Sequence, residues 1–434
     1  MYDNFKFLYK QYGEYVIAKR MLPSNIDGLR LSERRVLYAT YLEAKDKLRK
    51  SIYIVGKANI LHPHGESSLY GTLSKLVNFN LIDGQGNWGS RVGINDDPPA
   101  AARYTEVKLN KDIYNLAFEL LKFAEFGNIE LEEEPLYLPT MIPIGLLFLD
   151  VNSTPAFGIK TTIPTYRIKD LISRLLFLLG YNKKESIIKP YYGEEIEILS
   201  EEEKCKQLLE TGQSSITFCP KLYINKYERK IEIKSRPVGK KFNSLLNALD
   251  KKIKEGVIYI IDKSTTTTNI EIGVVKNRKY DFNNLVKLVK QKVSSTITYS
   301  CYFVNQDNNA ELISVDQLLL NCYNYYLKCN KRQLDNSILE LENKIKELEV
   351  ILKIRPHINY VIKNNIARKE IVPYLPSKTN IKEVLIKKVI NKYNIERLLY
   401  IKFDLDELNN QLEKYRNLDI NKQVINKYKK LIRS

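Results

Sequence analysis

The sequence predicts a multidomain α+β protein, and three observations lead to this fold class. The chain has 434 residues, which is too long for one small domain and is typical of two to four domains. Apolar residues make up 44% of it and aromatic residues 10%, which is enough to form buried cores. The hydrophobic pattern also changes along the chain, from short helices to proline-punctuated strands and then to long helices with heptad spacing.

The first region, residues 1–165, is predicted to begin with short helices. A helix over about the first 20 residues ends at Pro23 and the Asp27-Gly28 turn. Further helices are predicted at 32–45, at 51–61, from near Gly65, and at 110–126. Residues 83–107 break helical periodicity and are expected to form loops and a wing. Three short helices followed by a Gly-rich extended segment are typical of a winged helix, which places its third helix in a DNA major groove.

The other two regions differ from the first and from each other. Residues 166–310 mix short helices with alternating strands and are predicted to form a separate α+β domain; the strands are expected at Leu222–Ile233, Val257–Ile261 and Asn269–Val275. From about residue 313 a long helix is expected to end at Pro356. Its heptad seam comprises Leu334, Ile338, Leu341, Ile345, Leu348 and Leu352. A second such stretch from Leu405 to Leu431 is expected to pair with it antiparallel, with a globular tip between them; the alternative is an ordinary helical bundle.

The charge of the chain points to a polyanionic partner. It carries 69 Lys and Arg against 51 Asp and Glu, a net charge of +18. Nucleic acid is the first expectation and a membrane surface the second. Apart from residues 112–165, which are net acidic, the excess is spread along the chain, as expected for a protein that binds a long duplex. The alternative is that a lysine-rich composition merely places the excess charge on solvent-exposed faces.

Several protein classes are excluded by the sequence. No uncharged apolar stretch approaches the ~18 residues of a membrane span. The first residues lack the basic and apolar segments of a secretory signal. The five cysteines form no Cys-x-x-Cys pair, so neither a zinc site nor a disulfide framework is indicated and a reducing compartment fits.

Three groups of residues could carry phosphate chemistry. His62-Pro63-His64-Gly65 holds two of the three histidines and precedes the third predicted helix. Imidazole donors at a helix N-terminus suit phosphate binding, and a metal site is less expected because no Cys or third His lies nearby in sequence. Arg34-Arg35 lie near the start of the helix predicted at 32–45, with Arg30 and Arg20 upstream. Arg103-Tyr104 follows a run of small residues; beside an arginine, a tyrosine phenolate can attack phosphorus.

These residues belong to four motifs that follow one another along the chain. They are Leu22-Pro23…Asp27-Gly28-Leu29-Arg30…Arg34-Arg35-Val36-Leu37-Tyr38, His62-Pro63-His64-Gly65, Asp83-Gly84-Gln85-Gly86-Asn87-Trp88-Gly89-Ser90 and Ala101-Ala102-Arg103-Tyr104-Thr105-Glu106. In all four motifs the chain resembles gyrase A and its counterpart in topoisomerase IV. These proteins are the breakage–reunion subunits of type IIA DNA topoisomerases. The resemblance is strong over about 1–165 and architectural beyond. The chain is most similar to the separate medium subunit of T-even-like phage topoisomerases.

The resemblance implies a role for each matching residue. Tyr104 is expected to attack the scissile phosphate and hold the 5′ end of the broken strand, and Arg103 to stabilise the charge on the phosphate oxygens. Arg20, Arg35 and His62 match positions that support cleavage and religation. The remaining DNA-binding positions that the resemblance implies are Arg30, Arg34, Lys57, His64, Ser67 and Pro155.

Three positions depart from the family pattern. The apolar residue that inserts between base steps to bend DNA matches Pro155, or Phe157 or Ile159 if the alignment slips. In the quinolone-binding stretch Ser67 is retained, but its usual acidic partner falls at Gly71, so weaker drug sensitivity is expected. Glu33 replaces a histidine before the arginine pair, which removes one expected phosphate contact.

The resemblance also implies an architecture and partners. It implies a winged-helix DNA breakage–reunion domain at 1–165, a tower-like α+β domain at 166–310, and a long antiparallel coiled coil with a helical dimerisation globule, the C-terminal gate, at 311–434. Double-stranded DNA, a second copy bound through that gate, and a TOPRIM/ATPase protein like gyrase B are the expected partners, with no membrane. Mg²⁺ and ATP are both expected on that gyrase B-like partner and none on this chain; Asp404-Leu405-Asp406 lies in a heptad pattern and is expected on a helix surface.

The expected activity is ATP-dependent relaxation and decatenation in the cytoplasm, or in the host cytoplasm for a phage protein. Negative supercoiling is not expected, because neither a wrapping domain nor a Gln-Arg-Arg-Gly-Gly-Lys-Gly-like box follows the heptads. One alternative is a non-catalytic DNA-binding protein on the same fold. A gyrase A polypeptide truncated in this sequence is a second alternative. A tyrosine recombinase or relaxase would need an Arg…His-x-x-Arg…Tyr set or a three-His cluster, and the sequence has neither.

Overall fold

The protein forms two compact units in a computed structural model. The residues described are Leu8, Tyr12, Gly13, Val16, 20–63, 65–148, 151–156, 158–276, 278–399 and 405–433. One unit comprises Met1–Tyr326 with Lys427–Ser434, and the other comprises Leu327–Asn426. The mixture of helices and sheets confirms the α+β class. The three functional domains expected from the sequence stay predictions.

The first unit begins with helices around a small antiparallel sheet. The elements are α1 (Leu31–Ala44), β1 (Arg49–Lys50), α2 (Ser51–Leu61), α3 (Glu66–Asn78), β2 (Ile82–Gln85), β3 (Glu106–Leu109) and α4 (Lys111–Ala117). Strand β3 lies between β1 and β2. The three predicted helices at 32–45, 51–61 and from Gly65 are confirmed, and their core faces include Val36, Ile54 and Leu73.

The helix predicted at 110–126 is wrong, because α4 ends at Ala117. Phe118 caps it, and a single 3₁₀ turn follows at Leu121–Phe123. Leu116, Ala117, Phe118, Leu120 and Leu121 are all buried. In a continuous α-helix these five residues would spread over more than half of the helix circumference, so the chain turns to bury them together.

The rest of the first unit contains two larger antiparallel sheets. The strands are β4 (Phe126–Asn128), β5 (Glu133–Pro135), β6 (Asn152–Ala156), β7 (Ile159–Ile163), β8 (Ile196–Ile198), β9 (Gln213–Pro220), β10 (Leu222–Asn225), β11 (Lys230–Ile233), β12 (Ile258–Asp262), β13 (Ile270–Val274), β14 (Ser295–Ser300), β15 (Tyr302–Val304) and β16 (Ala310–Leu312). One sheet has the order β6-β7-β14-β9-β8 and the other β10-β11-β13-β12. β4 with β5, and β15 with β16, form separate hairpins.

Helices α5 (Ile168–Leu178), α6 (Glu202–Thr211), α7 (Asn243–Lys254) and α8 (Phe282–Val293) accompany these sheets. The predicted strands near 257–261 and 269–275 are confirmed as β12 and β13. The predicted strand Leu222–Ile233 is instead the hairpin β10–β11, because a turn with Arg229 at positive φ interrupts it. Ile231, Leu245, Ile272 and Leu285 belong to the core between this sheet and helices α7 and α8.

Long helices complete the chain: α9 (Val315–Lys363), α10 (Arg368–Thr379), α11 (Glu383–Lys392), α12 (Leu405–Arg416) and α13 (Ile420–Arg433). The prediction that Pro356 ends the long helix is wrong, because α9 continues to Lys363. An internal proline costs about 3 kcal/mol. Ile354, Ile358 and Val361 are buried around it, and each buried side chain contributes roughly 1.5–3 kcal/mol, which offsets that cost.

The core of the second unit does not follow the predicted heptad seam to its end. Ile345 and Leu348 are buried as expected, but Leu352 is exposed and Ile351 and Ile354 are buried instead. Successive steps of three residues, from Ile345 through Leu348 and Ile351 to Ile354, thus replace the heptad alternation of three and four, and the buried side of α9 shifts around the helix as α9 enters a globular helical core. That core also contains residues of α10, α11 and the turn before α12, among them Leu375, Ile386, Val389, Ile390 and Leu398.

Candidate active site

Tyr104 lies in a tight turn directly before β3. Its backbone N–H donates to the carbonyl of Ala101 at 2.8 Å, and its side chain is 62% exposed. The next residue, Thr105, is fully buried and donates from its hydroxyl to Ser51 Oγ, at the start of α2, at 2.8 Å. Tyr70 of α3 reaches Thr105 Oγ1 at 3.1 Å and donates to the carbonyl of Ala100. Two helices therefore hold the turn, and the phenol projects into solvent.

Arg103 supplies a positive charge beside this phenol. Its guanidinium carbon lies 4.6 Å from the centre of the Tyr104 ring, and both side chains are at least partly exposed. An exposed phenol next to a cation is an arrangement suited to attack on an anionic phosphate.

The loop before this turn, residues 90–97, is held by the four-stranded sheet and its connections. Asp262 of β12 accepts from the backbone N–H of Ile94 at 3.0 Å. Asp96 accepts from Lys241 at 2.8 Å and also pairs with Arg236. The hydrogen bond from Lys241, followed by that from Arg236, lowers the pKa of Asp96 despite its partial burial. The loop that leads into the Tyr104 turn is thus held from outside the first three helices as well.

The structure brings together Arg35 and His62, two of the predicted site residues. Arg35 is completely buried, and its Nη1 lies 2.7 Å from His62 Nδ1. The same guanidinium donates to both carboxylate oxygens of Glu134, at 2.6–3.1 Å, and to Glu130 at 3.1 Å. Arg35 therefore contacts His62 from the protein interior and does not face solvent.

Arg34, predicted to contact DNA, lies in a buried ion pair. Its Nε and Nη2 donate to the two oxygens of Asp27 at 2.7 and 3.0 Å, and the two side chains are 6% and 0% exposed. Burial opposes the charge on Arg34, but Asp27 outweighs it and raises the pKa of the guanidinium. Asp27 also accepts from the backbone N–H of Leu138 at 3.0 Å. In this conformation Arg34 is not available to a phosphate, and its position favours a structural role.

Arg30 and Glu33 belong to a third charged group. Glu33, 2% exposed, accepts from Lys75 Nζ at 2.9 Å and from the backbone N–H of Arg30 at 3.0 Å. Burial raises the pKa of Glu33, but the charges of Lys75 and Arg30 and the hydrogen bonds outweigh it, so that the pKa lies below its ordinary value. Arg30 and Lys75 both donate to Asn152 Oδ1, at the start of β6. Glu33 thus links the start of α1 to α3, and Arg30 and Lys75 link both to the β6–β7 hairpin.

The remaining predicted residues are more dispersed. Lys57 pairs with Glu132 at 3.0 Å with both side chains partly exposed, and Ser67 is exposed in the first turn of α3. Arg20 is half-buried. Pro155 is exposed on β6 opposite Lys160, close to the end of the hairpin; Ile159 begins β7. His64, Phe157 and Asp404 lie outside the described residues, and Asp406 is exposed in the first turn of α12.

Metal-binding clusters and membrane spans are both missing from the part of the chain that the structure describes. No group of three or more His, Cys, Asp or Glu side chains lies close enough together there to hold a metal ion. Over the same residues, no helix is long and apolar enough to cross a membrane.

Sequence reasoning missed the partners of the predicted arginines. Glu134 and Glu130 belong to an acidic run in the sequence, and Asp27 belongs to a turn. No local pattern in the sequence pairs any of the three with an arginine. The signal available was a net-acidic segment in an otherwise basic chain, because a buried arginine needs a counter-charge. Nothing in the sequence indicated Lys75, Asn152 or Tyr70.

Comparisons with known proteins find similar sequences over most of this chain. A family model for the A polypeptide of DNA gyrase and topoisomerase IV matches residues 20–432. The gyrase A protein of Leptospira biflexa is 32% identical over 346 residues, 73% of this chain and 40% of that protein. That of Clostridium acetobutylicum is 27% identical over 391 residues, 82% of this chain and 45% of that protein. That of Mycoplasma genitalium is 37% identical over 187 residues, 39% of this chain and 21% of that protein. The chain therefore spans less than half the length of these relatives.

Proposed function

This chain belongs to the family of DNA gyrase and topoisomerase IV A polypeptides, and on that premise we propose that it is the DNA breakage–reunion subunit of a type IIA DNA topoisomerase. The observation that carries the proposal is the exposed phenol of Tyr104 beside Arg103, in a turn fixed against two helices. The net charge of +18 suits a DNA substrate.

The proposed reaction is a reversible transesterification. The Tyr104 hydroxyl oxygen forms a bond to the scissile phosphorus, and the bond from phosphorus to the 3′ oxygen breaks. The phenol proton ends on that 3′ hydroxyl, and the 5′ phosphate stays on the tyrosine. The reverse attack reseals the strand without an external energy source, because one phosphoester replaces another. Arg103 offsets the charge that develops on the phosphate oxygens.

The complete enzyme in this proposal contains further components. Two copies of the chain cut the two strands, and they pair through the helical second unit, where a compact core forms. A TOPRIM/ATPase protein like gyrase B provides the sites for ATP and for Mg²⁺, which would stabilise charge on the phosphate when bound. The products are relaxed and decatenated DNA, formed in the cytoplasm. The similarity to the medium subunit of T-even-like phage enzymes is part of the same proposal.

A trapped covalent adduct tests the proposal. The chain is combined with a TOPRIM/ATPase partner and with end-labelled supercoiled DNA, and the reaction is stopped with a denaturing detergent. We expect protein linked to the 5′ end of each break, and no adduct with Tyr104→Phe. Tyr227→Phe is the matched control, because Tyr227 is 97% exposed and lies in the β10–β11 turn.

The outcomes separate the proposal from its alternative. DNA binding by the wild-type chain without any adduct would favour a non-catalytic DNA-binding protein. An adduct that persists in Tyr104→Phe would place the nucleophile elsewhere. Comparing supercoiled, relaxed and catenated substrates in the same assay identifies the topological reaction.

A further inference from the structure

We propose that Glu134 is a positioning residue for DNA cleavage. Acting through Arg35, it holds His62 as the neutral tautomer with the proton on Nε2, so that His62 donates a hydrogen bond to the phosphate and does not act as a base. This inference rests on the proposed function, because it concerns the same reaction. It assigns a role to an acidic side chain 99 residues from Arg35 in sequence.

The first step is the fixed geometry of Glu134. Its carboxylate is 2% exposed and lies on β5, where residue 134 pairs with Gly127 of β4. Arg35 meets it with Nε at 2.8 Å from Oε2 and Nη2 at 2.6 Å from Oε1. A two-pronged contact of this kind fixes the plane of the guanidinium as well as its position.

The second step is the direction of the hydrogen bond to His62. The remaining nitrogen of Arg35, Nη1, lies 2.7 Å from His62 Nδ1. A guanidinium carries only donors and stays protonated in proteins, so Nδ1 must accept. A neutral imidazole with an accepting Nδ1 carries its proton on Nε2. The tautomer is therefore assigned by Arg35, whose orientation Glu134 sets.

The third step is the chemical consequence for the reaction. With Nδ1 occupied and Nε2 protonated, the ring has no free basic nitrogen to take the phenol proton. It can instead direct an N–H at a phosphate oxygen, from the end of α2, where His62 caps the helix. The Glu134 carboxylate already balances the buried Arg35 cation, so His62 can stay neutral. The second hydrogen of Nη1 is donated to Glu130 at 3.1 Å.

Glu134→Gln is the decisive variant, because it keeps the shape and one accepting oxygen while removing the charge. Glu133→Gln is its matched control, an identical change at the adjacent, exposed residue. We expect the rate of adduct formation to fall about 10–100-fold in the first variant, as for other residues that orient a functional group, and to stay unchanged in the control. Glu134→Asp tests rescue if Gln impairs folding.

Two readouts distinguish positioning from a merely structural role. The chain has three histidines, so ¹⁵N-histidine labelling with a His62→Gln variant for assignment gives a readable imidazole spectrum. We expect protonated Nε2 and unprotonated Nδ1 at His62 in the wild type, and a mixture of tautomers in Glu134→Gln. In the cleavage assay His62→Gln, which keeps a donor near the Nε2 position, should retain more activity than His62→Asn.

A double-mutant cycle completes the test. In the His62→Asn background Glu134→Gln should cause little further loss of cleavage. Equal losses in both backgrounds, or a protonated Nδ1 in the wild-type spectrum, would overturn the inference. Failure of the proposed function gives a different result: the wild-type chain then forms no adduct, while the tautomer spectrum still reports on the Glu134–Arg35–His62 contacts.

Discussion

Replacing Arg34 with methionine tests whether this residue stabilises the fold or binds DNA. Methionine keeps most of the length of the side chain but leaves the Asp27 carboxylate, which is 0% exposed, without its cation. Breaking a buried ion pair costs about 3–5 kcal/mol. Asp27 keeps the backbone N–H of Leu138 and that of Leu29 as donors, so we expect the lower end, about 3 kcal/mol.

The matched variant is Lys57→Met, which breaks the partly exposed pair with Glu132. Such pairs contribute about 0–1 kcal/mol. At roughly 2–4 °C per kcal/mol for a large domain, thermal unfolding followed by circular dichroism should show a fall of about 6–12 °C for Arg34→Met, and little change for Lys57→Met.

DNA affinity measured across a salt series should show the opposite order. Each phosphate contact adds about 0.9 to the slope of log affinity against log salt concentration. We expect Lys57→Met to lower the slope by about one and Arg34→Met to leave it unchanged, measured below the melting temperature of both variants. A stable Arg34→Met with a reduced slope would refute the structural role and restore Arg34 as a DNA contact.

Three further outcomes can be checked independently. Gly71→Asp should increase quinolone sensitivity in the reconstituted cleavage assay, because a side chain there meets open space one turn from Ser67; unchanged drug sensitivity would contradict this. The folded-state pKa of Glu33 lies below its ordinary value of 4.5. The stability that Glu33 contributes is therefore complete above pH 4.5 and is lost as the pH falls through the folded pKa. Glu33→Gln should reduce the loss of unfolding free energy at acid pH, and an unchanged loss would exclude this contribution. Burial raises the pKa of Cys301 and of Cys322 to about 12, so iodoacetamide at pH 8 should modify neither thiol until denaturant is added; rapid labelling of the native chain would disprove their burial.

Local patterns in the sequence were sufficient to predict the helices around the site, whereas Tyr104 was singled out by the motif that it shares with the gyrase A family. The apolar spacing of α1, α2 and α3 is a local property, and their bounds follow within a few residues. The Arg103-Tyr104 pair lies within a motif and needs no long-range information. Its exposure agrees with the role expected from the resemblance.

The partners of the arginines could not be predicted, because they depend on contacts far apart in sequence. Arg34 and Arg35 are neighbours, but successive helical positions point about 100° apart. One side chain therefore turns to Asp27, seven residues away, and the other to Glu134, 99 residues away. The continuation of α9 through Pro356 has the same origin, since burial in a distant core outweighs a local preference.

The small sheet beside Tyr104 has a mechanical consequence. In the proposed reaction a DNA end is joined to this side chain, and any force that separates the two broken ends then passes along the backbone into β3. That strand is paired on both edges, with β1 on one side and β2 on the other. The interstrand bonds lie across the direction of pull, so they share the load and must fail together. The proposed nucleophile, placed directly before a central strand, can therefore bear tension while the break stays open.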